Sequence, residues 1–288
     1  SGAWDPGLDA DTLRRGLELM VLLRIFDDRM MKMQRTGKLS FYMRSLGEEA
    51  VAIAQVMALQ EQDWIFPTYR QPGAQFVRGR DLVSMINHCI GNIEDNIKGR
   101  QMPVHYSYRE GRFISVSSPV GTQFPQAVGV AMASAYRGLD EVTITWIGDG
   151  ASAEGDYHYA LTFASVYKPP VILNVVNNQW AISTHMNISI GGATFAARGI
   201  AYGLPSIRVD GNDFLALYAV TQWAAERARQ EGMPPLEALR RMAGFIDDAA
   251  EGGVPLVIFN APFDWPFVLA EAERHGLTIA TPDIVDPL

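Results

Sequence analysis

Residues 142–180 read VTITWIGDGASAEGDYHYALTFASVYKPPVILNVVNNQW, and the succession of textures along them decides the fold. Val142 to Ile147 is a β-branched and aromatic run of strand length, broken by Gly148-Asp149-Gly150. Asp156 to Tyr167 has helical periodicity, Lys168-Pro169-Pro170 stops that helix, and Val171 to Val176 is a second apolar strand. Strand, helix and strand in succession form a βαβ unit, whose crossover makes its two strands parallel. The expected class is therefore α/β, a parallel sheet flanked by helices. Downstream, Ile207-Arg208-Val209, the loop Asp210-Gly211-Asn212-Asp213 and a helix from Phe214 to Arg229 repeat the order and predict a further strand.

Outward from this centre the pattern becomes helical. Asp11 to Thr36 carries Leu13, Leu17, Met20, Leu23, Phe26, Met30 and Met33 at helical spacing after an Asp cap, and this Met-rich face reads as core or as a subunit interface. Glu48 to Ala58 reads as a second helix, and Phe66-Pro67-Thr68-Tyr69-Arg70-Gln71-Pro72-Gly73 as an irregular loop. The texture changes near Gln230: Glu231-Gly232-Met233-Pro234-Pro235 is linker-like, Leu236 to Ala250 a helix, Glu251-Gly252-Gly253 a turn and Val254 to Phe259 a buried strand. Two segments are expected, 1–229 and a truncated α/β segment 230–288.

Composition narrows the function. The 288 residues carry a net charge of -8 and are 48% hydrophobic and 19% charged, an ordinary globular balance. The overall field repels polyanions, which disfavours nucleic acid as a partner. A single cysteine, Cys89, cannot form an internal disulfide, and no run of eighteen apolar residues is present. These features predict no membrane span and a cytoplasmic location. The opening Ser1-Gly2 resembles the remnant of a cleaved expression tag and is set aside.

The chemistry is carried by Gly148-Asp149-Gly150, at the carboxyl end of a strand, where open parallel sheets place their ligands. Two glycines let the backbone approach an anion, the helix that follows offers its N-terminal N–H groups, and Asp149 supplies a hard oxygen. Alone, the tripeptide is an ordinary turn. The next strand ends in Asn177-Asn178, whose amide oxygens emerge at the same edge. Magnesium takes about six oxygens, and Asp149, Asn178, a backbone carbonyl such as that of Trp180, two diphosphate oxygens and water would supply them.

The two motifs together form the thiamine-diphosphate fingerprint, and the text GDGASAEGDYHYALTFASVYKPPVILNVVNNQWAIST resembles the alpha subunit of bacterial branched-chain 2-oxoacid dehydrogenases, across residues 1–229. The resemblance implies a thiamine-diphosphate-binding fold in which Gly148, Asp149, Gly150, Ala151 and Asn178 contact the cofactor, with Asp149, Asn178 and Trp180 on magnesium. The loop FPTYRQPG is similar to the family segment in which Tyr69 and Arg70 reach the diphosphate; a guanidinium suits phosphate oxygens because it donates paired hydrogen bonds. In GRQMPVHYSYREGRFISVSSPVGTQFPQAVGVA, the resemblance makes His105 an active-site histidine and places Ser118 and Val120 along the cofactor. It assigns Ser117, Pro119, Thr122 and Gln123 to a potassium site that steadies the loop. Val176 stands where many relatives carry an arginine near the phosphate, so anion binding leans more on Arg70 and the helix end. The family continues after Trp223–Arg229 with a strand and a second active-site histidine that have no counterpart here.

From about Pro234 the chain resembles instead part of a DEDD-type 3′–5′ exonuclease. Asn260-Ala261-Pro262-Phe263-Asp264 matches a motif whose aspartate helps hold a metal, and Asp286 lies where such domains turn into their next helix. The family's first Asp-x-Glu motif is missing, and a two-metal site needs several carboxylates. The expectation is two incomplete families joined near residue 230. The activity implied is decarboxylation of branched-chain 2-oxoacids with transfer of the acyl group to a lipoyl-bearing acyltransferase. It would require a beta subunit, in an assembly of two alpha and two beta chains. The alternatives are an exonuclease fragment or an inactive chimera.

Overall fold

Asp9 opens the first helix, its carboxylate accepting the Thr12 backbone N–H at 2.7 Å, and α1 follows as Ala10–Arg35. The computed structural model describes residues 5–192, 194–232, 235–257 and 261–285; Ser1 and Gly2 lie outside them. The face of α1 that faces the core is Gly16, Leu19, Leu23, Phe26 and Met30, a 3-4-3-4 spacing that keeps one stripe inward. Leu13 and Leu17, grouped with that face in the sequence, instead join Val21 and Ile25 in an exposed apolar row at every fourth position. Gly16 permits the close approach of α1 to the Phe214 ring, since a Cβ there would overlap it.

Helix α2 (Glu49–Met57) is buried along almost its whole length. It is followed by β1 (Trp64–Phe66), α3 (Gly73–Val77), α4 (Leu82–Ile90) and α5 (Gln123–Tyr136). The predicted βαβ unit is present as β2 (Thr143–Gly148), α6 (Gly155–Tyr167) and β3 (Val171–Val176), with Lys168 in the left-handed region at φ 46° ending the helix. The sheet order is β1-β2-β3, all parallel, with Thr143 opposite Val171 and Gly148 opposite Val176. Alternate residues of β2 feed opposite layers. Ile144 and Trp146 pack with α1 and α2, and Ile147 packs with Phe124 and Val128 of α5 and Leu161 of α6.

A chain of polar bonds fixes α2 to the sheet. Trp146 Nε1 donates to Gln55 Oε1 at 2.6 Å, Gln55 Nε2 to Asn174 Oδ1 at 2.8 Å, and Asn174 Nδ2 to the Thr145 carbonyl at 3.0 Å. Each buried polar group in it is satisfied by the next, so desolvation costs little.

Beyond β3 lie β4 (Trp180–Ala181), β5 (Thr184–His185), α7 (Met186–Ser189), α8 (Phe195–Ala201) and α9 (Phe214–Glu231). The strand expected at Ile207-Arg208-Val209 does not form. Gly199 lacks a side chain where Ser206 Oγ presses in, so the segment folds back on α8, and a cleft of about 1210 Å³ lies between it and the outer edge of β3. Arg229 of α9 caps the buried Asp63 with two contacts, 2.6 and 2.7 Å, while the Val142 N–H donates to the same carboxylate at 2.8 Å.

These elements make one compact unit that ends at Gly232; the second contains Ala135–Gly138 and the chain from Met233 onward. Within the second, α10 (Pro235–Glu251), β6 (Leu256–Val257), α11 (Ala261–Arg274) and β7 (Ile284–Val285) form a small α/β arrangement, with β6 parallel to β7. Its core holds Ala243, Ile246, Ala272 and Ile279. Phe259, Asn260 and Asp286 lie outside the described residues. Among the described residues no helix is long and apolar enough to cross a membrane.

His88 of α4 is buried, its Nδ1 3.4 Å from Asp95 Oδ1, with the Tyr106 ring and Arg80 beside it, and neither ring nitrogen makes a hydrogen bond. Burial holds the imidazole below its usual value of 6.5, against the pull of Asp95. Between the depressed value and 6.5 the unfolded chain binds a proton that the folded chain refuses, so stability falls as pH drops through that window. The slope is at most about 1.4 kcal/mol per pH unit for one proton. Thermal unfolding followed from pH 7 downward should show this slope and lose it in His88→Gln; parallel curves for the two proteins would contradict the assignment.

Candidate functional site at the strand ends

Strand β2 delivers Gly148-Asp149-Gly150 to the carboxyl edge of the sheet. Asp149 is 1% exposed, its N–H bonds to the Val176 carbonyl at 3.2 Å, and its Oδ2 is buried without a hydrogen-bond partner. Burial raises the pKa of this carboxyl, opposed by N–H groups of Asp149, Gly150 and Asn178 and by the charge of nearby His185. A 3-10 turn, Gly150–Ala153, lies between Asp149 and the start of α6 at Gly155, so the N–H groups that directly follow the motif belong to this turn and not, as expected, to the helix. Arg198 of α8 braces that turn, its Nη1 donating to the Ser152 carbonyl and hydroxyl at 3.0 Å each. Of the two glycines, only Gly150 is sterically required. A Cβ there would overlap that of Ala181 and lie 3.3 Å from its Cα, whereas one on Gly148 meets nothing within 4 Å.

Strand β3 delivers Asn177-Asn178 to the same edge. Asn178 Oδ1 accepts the Trp180 N–H at 3.1 Å, and its Nδ2 donates at 3.0 Å to Oε1 of Glu48, the residue that leads into α2. Gln179 sits at φ 70° in the tight turn into the β4–β5 hairpin, where the Trp180 indole packs edge-on against His185. Arg70 projects from the loop after β1, its guanidinium 5.4 Å from the centre of the Tyr69 ring. Its Nη1 donates to the Arg44 carbonyl at 2.6 Å, and its Nε lies 3.9 Å from Glu48 Oε1. Asp149, Asn178, Glu48 and Arg70 thus converge, with Tyr69 attached through Arg70.

A second group lies on the segment before α5. Val104, a β-branched residue, is held at φ 65° and buried, and directs the next residue, His105, inward. His105 Nδ1 is 3.2 Å from the Pro103 carbonyl, which only accepts, so Nδ1 donates to it, and Nε2 lies 2.8 Å from the Ser118 hydroxyl. The Thr122 hydroxyl reaches Ser117 Oγ at 2.9 Å and the Pro119 carbonyl at 3.1 Å, gathering three of the four residues expected to share one ion. Gln123 is turned to the sheet, its Nε2 on the Trp146 carbonyl at 2.6 Å. Val120 is half exposed.

Residues 17–239 match the family described as dehydrogenase E1 component. The chain belongs to this family. It is 55% identical over 236 residues to the 2-oxoisovalerate dehydrogenase subunit alpha of Pseudomonas aeruginosa, covering 82% of this chain and 58% of that protein. It is 44% identical over 222 residues to the mitochondrial subunit alpha 1 of Arabidopsis thaliana (77% and 47%), and 42% over 230 residues to the human mitochondrial subunit alpha (80% and 52%). The chain spans about half the length of the curated relatives it matches. The E1 match runs past residue 229, where the sequence pattern placed a change of family, and it lends the exonuclease resemblance no support.

The E1 dehydrogenase family implies thiamine diphosphate as cofactor, and the residues present fit it. Asp149 Oδ2 and Glu48 Oε2 are both buried without partners, and the Gly150 cradle has no room for a side chain. Among the described residues no three His, Cys, Asp or Glu stand together as a metal site, so a cation here would rely on the Asp149 carboxylate with amide, backbone and phosphate oxygens, as magnesium sites commonly rely on one or two carboxylates and phosphates.

Two contributors escaped the sequence pattern. Glu48 reads there as an ordinary acidic helix start, and the only hint was a second glutamate beside it. His185 was not singled out in the sequence, and its place beside Asp149 depends on the β4–β5 hairpin.

Proposed function

We propose that this chain is the alpha half-site of a thiamine-diphosphate-dependent dehydrogenase acting on branched-chain 2-oxoacids. The observation that carries the reading is the buried, unpartnered Asp149 Oδ2 beside Asn178, at the ends of adjacent parallel strands. Asp149, Asn178 and the Trp180 carbonyl would hold magnesium; Tyr69, Arg70, Gly148, Gly150, Ala151, Ser118 and Val120 would hold thiamine diphosphate. When bound, this cofactor supplies the electron sink that lets a 2-oxoacid lose carbon dioxide. Arg70 carries the positive charge for the diphosphate, since Val176 offers none. His105, whose Nε2 meets the Ser118 hydroxyl, is placed to hold or move a proton at the reacting end. Ser117, Pro119, Thr122 and Gln123 would bind potassium and stiffen the loop that carries Ser118.

The remaining parts of the reaction belong to partners. The exposed apolar row on α1 (Leu13, Leu17, Val21, Ile25) and another on α6 (Tyr159, Phe163, Val166) support burial against other subunits, in keeping with a beta subunit and an assembly of two chains of each kind. A lipoyl-bearing acyltransferase would take the acyl group. The compartment proposed is the cytoplasm, where a lone buried Cys89 thiol stays reduced. Nucleic acid is not a proposed ligand; of the exonuclease motif, the side chain of Asp264 is not described and Asn260 and Asp286 fall outside the described residues.

Release of carbon dioxide from 2-oxoisovalerate, with an artificial electron acceptor, tests this function. Turnover is expected only when this chain, a branched-chain beta subunit, magnesium and thiamine diphosphate are all present. Turnover that persists when this chain is omitted would refute the proposal.

A further inference from the structure

We propose that Glu48 is a positioning residue that sets both arms of the cofactor site, the Asn178 amide toward the cation and the Arg70 guanidinium toward the diphosphate. The inference rests on the function proposed above. Glu48 side-chain Oε1 accepts Asn178 Nδ2 at 3.0 Å from a buried position on a different element, 130 residues away in sequence. Oε1 accepts here, so it holds the nitrogen end of the amide and leaves Oδ1 as the end available to a cation. A flipped amide would set two oxygens against each other. The Trp180 N–H, donating to Oδ1 at 3.1 Å, enforces the same orientation from the other side.

The same Oε1 lies 3.9 Å from Arg70 Nε, while the Arg44 carbonyl takes Nη1 at 2.6 Å. Two of the three guanidinium nitrogens are thereby placed by the protein. Such outer partners orient the groups that touch metal and anion, and their loss commonly weakens a metal site 10- to 100-fold. Glu48 Oε2 and Asp149 Oδ2 are both buried without a hydrogen bond, and the two carboxylates repel one another.

The test uses the full chain mixed with a branched-chain beta subunit. Magnesium is titrated at saturating thiamine diphosphate, and thiamine diphosphate at saturating magnesium, with tryptophan fluorescence and calorimetry as readouts. Glu48→Ala is expected to weaken magnesium about 10- to 100-fold. Glu48→Gln keeps a carbonyl oxygen for Asn178 but not the charge beside Arg70, so it should restore most of the magnesium affinity while diphosphate affinity stays lowered. If Glu48→Ala does not fold, the split in Glu48→Gln decides alone. Magnesium affinity unchanged in Glu48→Ala, or Glu48→Gln lowering both affinities together, overturns the role of Glu48 while the site stands. Failure of the unmodified chain to bind overturns the site and this inference with it.

Discussion

Asp149→Ala is expected to abolish magnesium-dependent binding of thiamine diphosphate, weakening it by a factor of at least about 100, the upper end of what loss of an outer partner does to a metal site. The reason is that Asp149 is the one carboxylate among the ligands proposed for the cation, the others being the Asn178 amide and the Trp180 carbonyl. A second outcome separates a binding role from a structural one. Burial raises the Asp149 pKa above its usual 3.8, so the penalty for ionising it in the folded chain appears as pH rises through 3.8 and is complete above the raised value. At neutral pH, then, the unloaded Asp149→Ala chain should unfold at a temperature no lower than the unmodified chain. The loaded unmodified chain should exceed both, because a ligand that binds only the native state stabilises it by mass action. A fall in thermal stability of the unloaded variant, with cofactor binding retained, would mean that Asp149 is structural.

Gly150→Ala should be nearly as damaging for a different physical reason. The new Cβ would occupy the space of the Ala181 methyl, in the hairpin that begins at Trp180. The hairpin must shift, carrying with it the Trp180 N–H that orients Asn178 and the Trp180 carbonyl proposed as a ligand. Overpacking of this kind costs about 1–3 kcal/mol of stability, and displacement of the ligating edge should weaken magnesium about 10- to 100-fold. Removing the opposing methyl provides the control. Gly150→Ala combined with Ala181→Gly should recover binding, because the contact is between these two positions and the Gly150 backbone is not in a conformation reserved for glycine. A double variant as weak as Gly150→Ala would place the damage elsewhere.

The parts of the fold that were legible are those whose signals are local. The βαβ unit announces itself through two strand-length apolar runs and a Lys-Pro-Pro stop, and Lys168 does adopt the left-handed turn that ends α6. The three-residue strand β1 went unread, since it ends at Phe66 where the Pro-containing loop begins and is too short to show a period. Ile207-Arg208-Val209 misled in the opposite direction. Its β-branched residues suit a pleated surface, yet strand formation requires a neighbour to pair with, and Gly199 draws this segment onto α8. On α1 the helical period was right and Leu23, Phe26 and Met30 are inward, but Leu13 and Leu17, read with them as one face, lie on an exposed row beside Gly16 and Leu19.

The site divides in the same way. Asp149 and Asn178 are legible because the strands that carry them are adjacent in sequence and in the sheet, so spacing alone brings them to one edge. Glu48 was not, since only the packed fold brings α2 against the end of β3. The Ser117, Pro119 and Thr122 cluster followed from a resemblance, and the structure brings those three together while the Gln123 amide nitrogen turns to the sheet.

The most direct test of the central claim is calorimetric titration of this chain with magnesium and thiamine diphosphate, alone and mixed with a branched-chain beta subunit. Saturable binding is expected with the beta subunit present, dependent on magnesium and lost in Asp149→Ala. A folded chain that binds nothing under either condition, or binds equally well without Asp149, would contradict it.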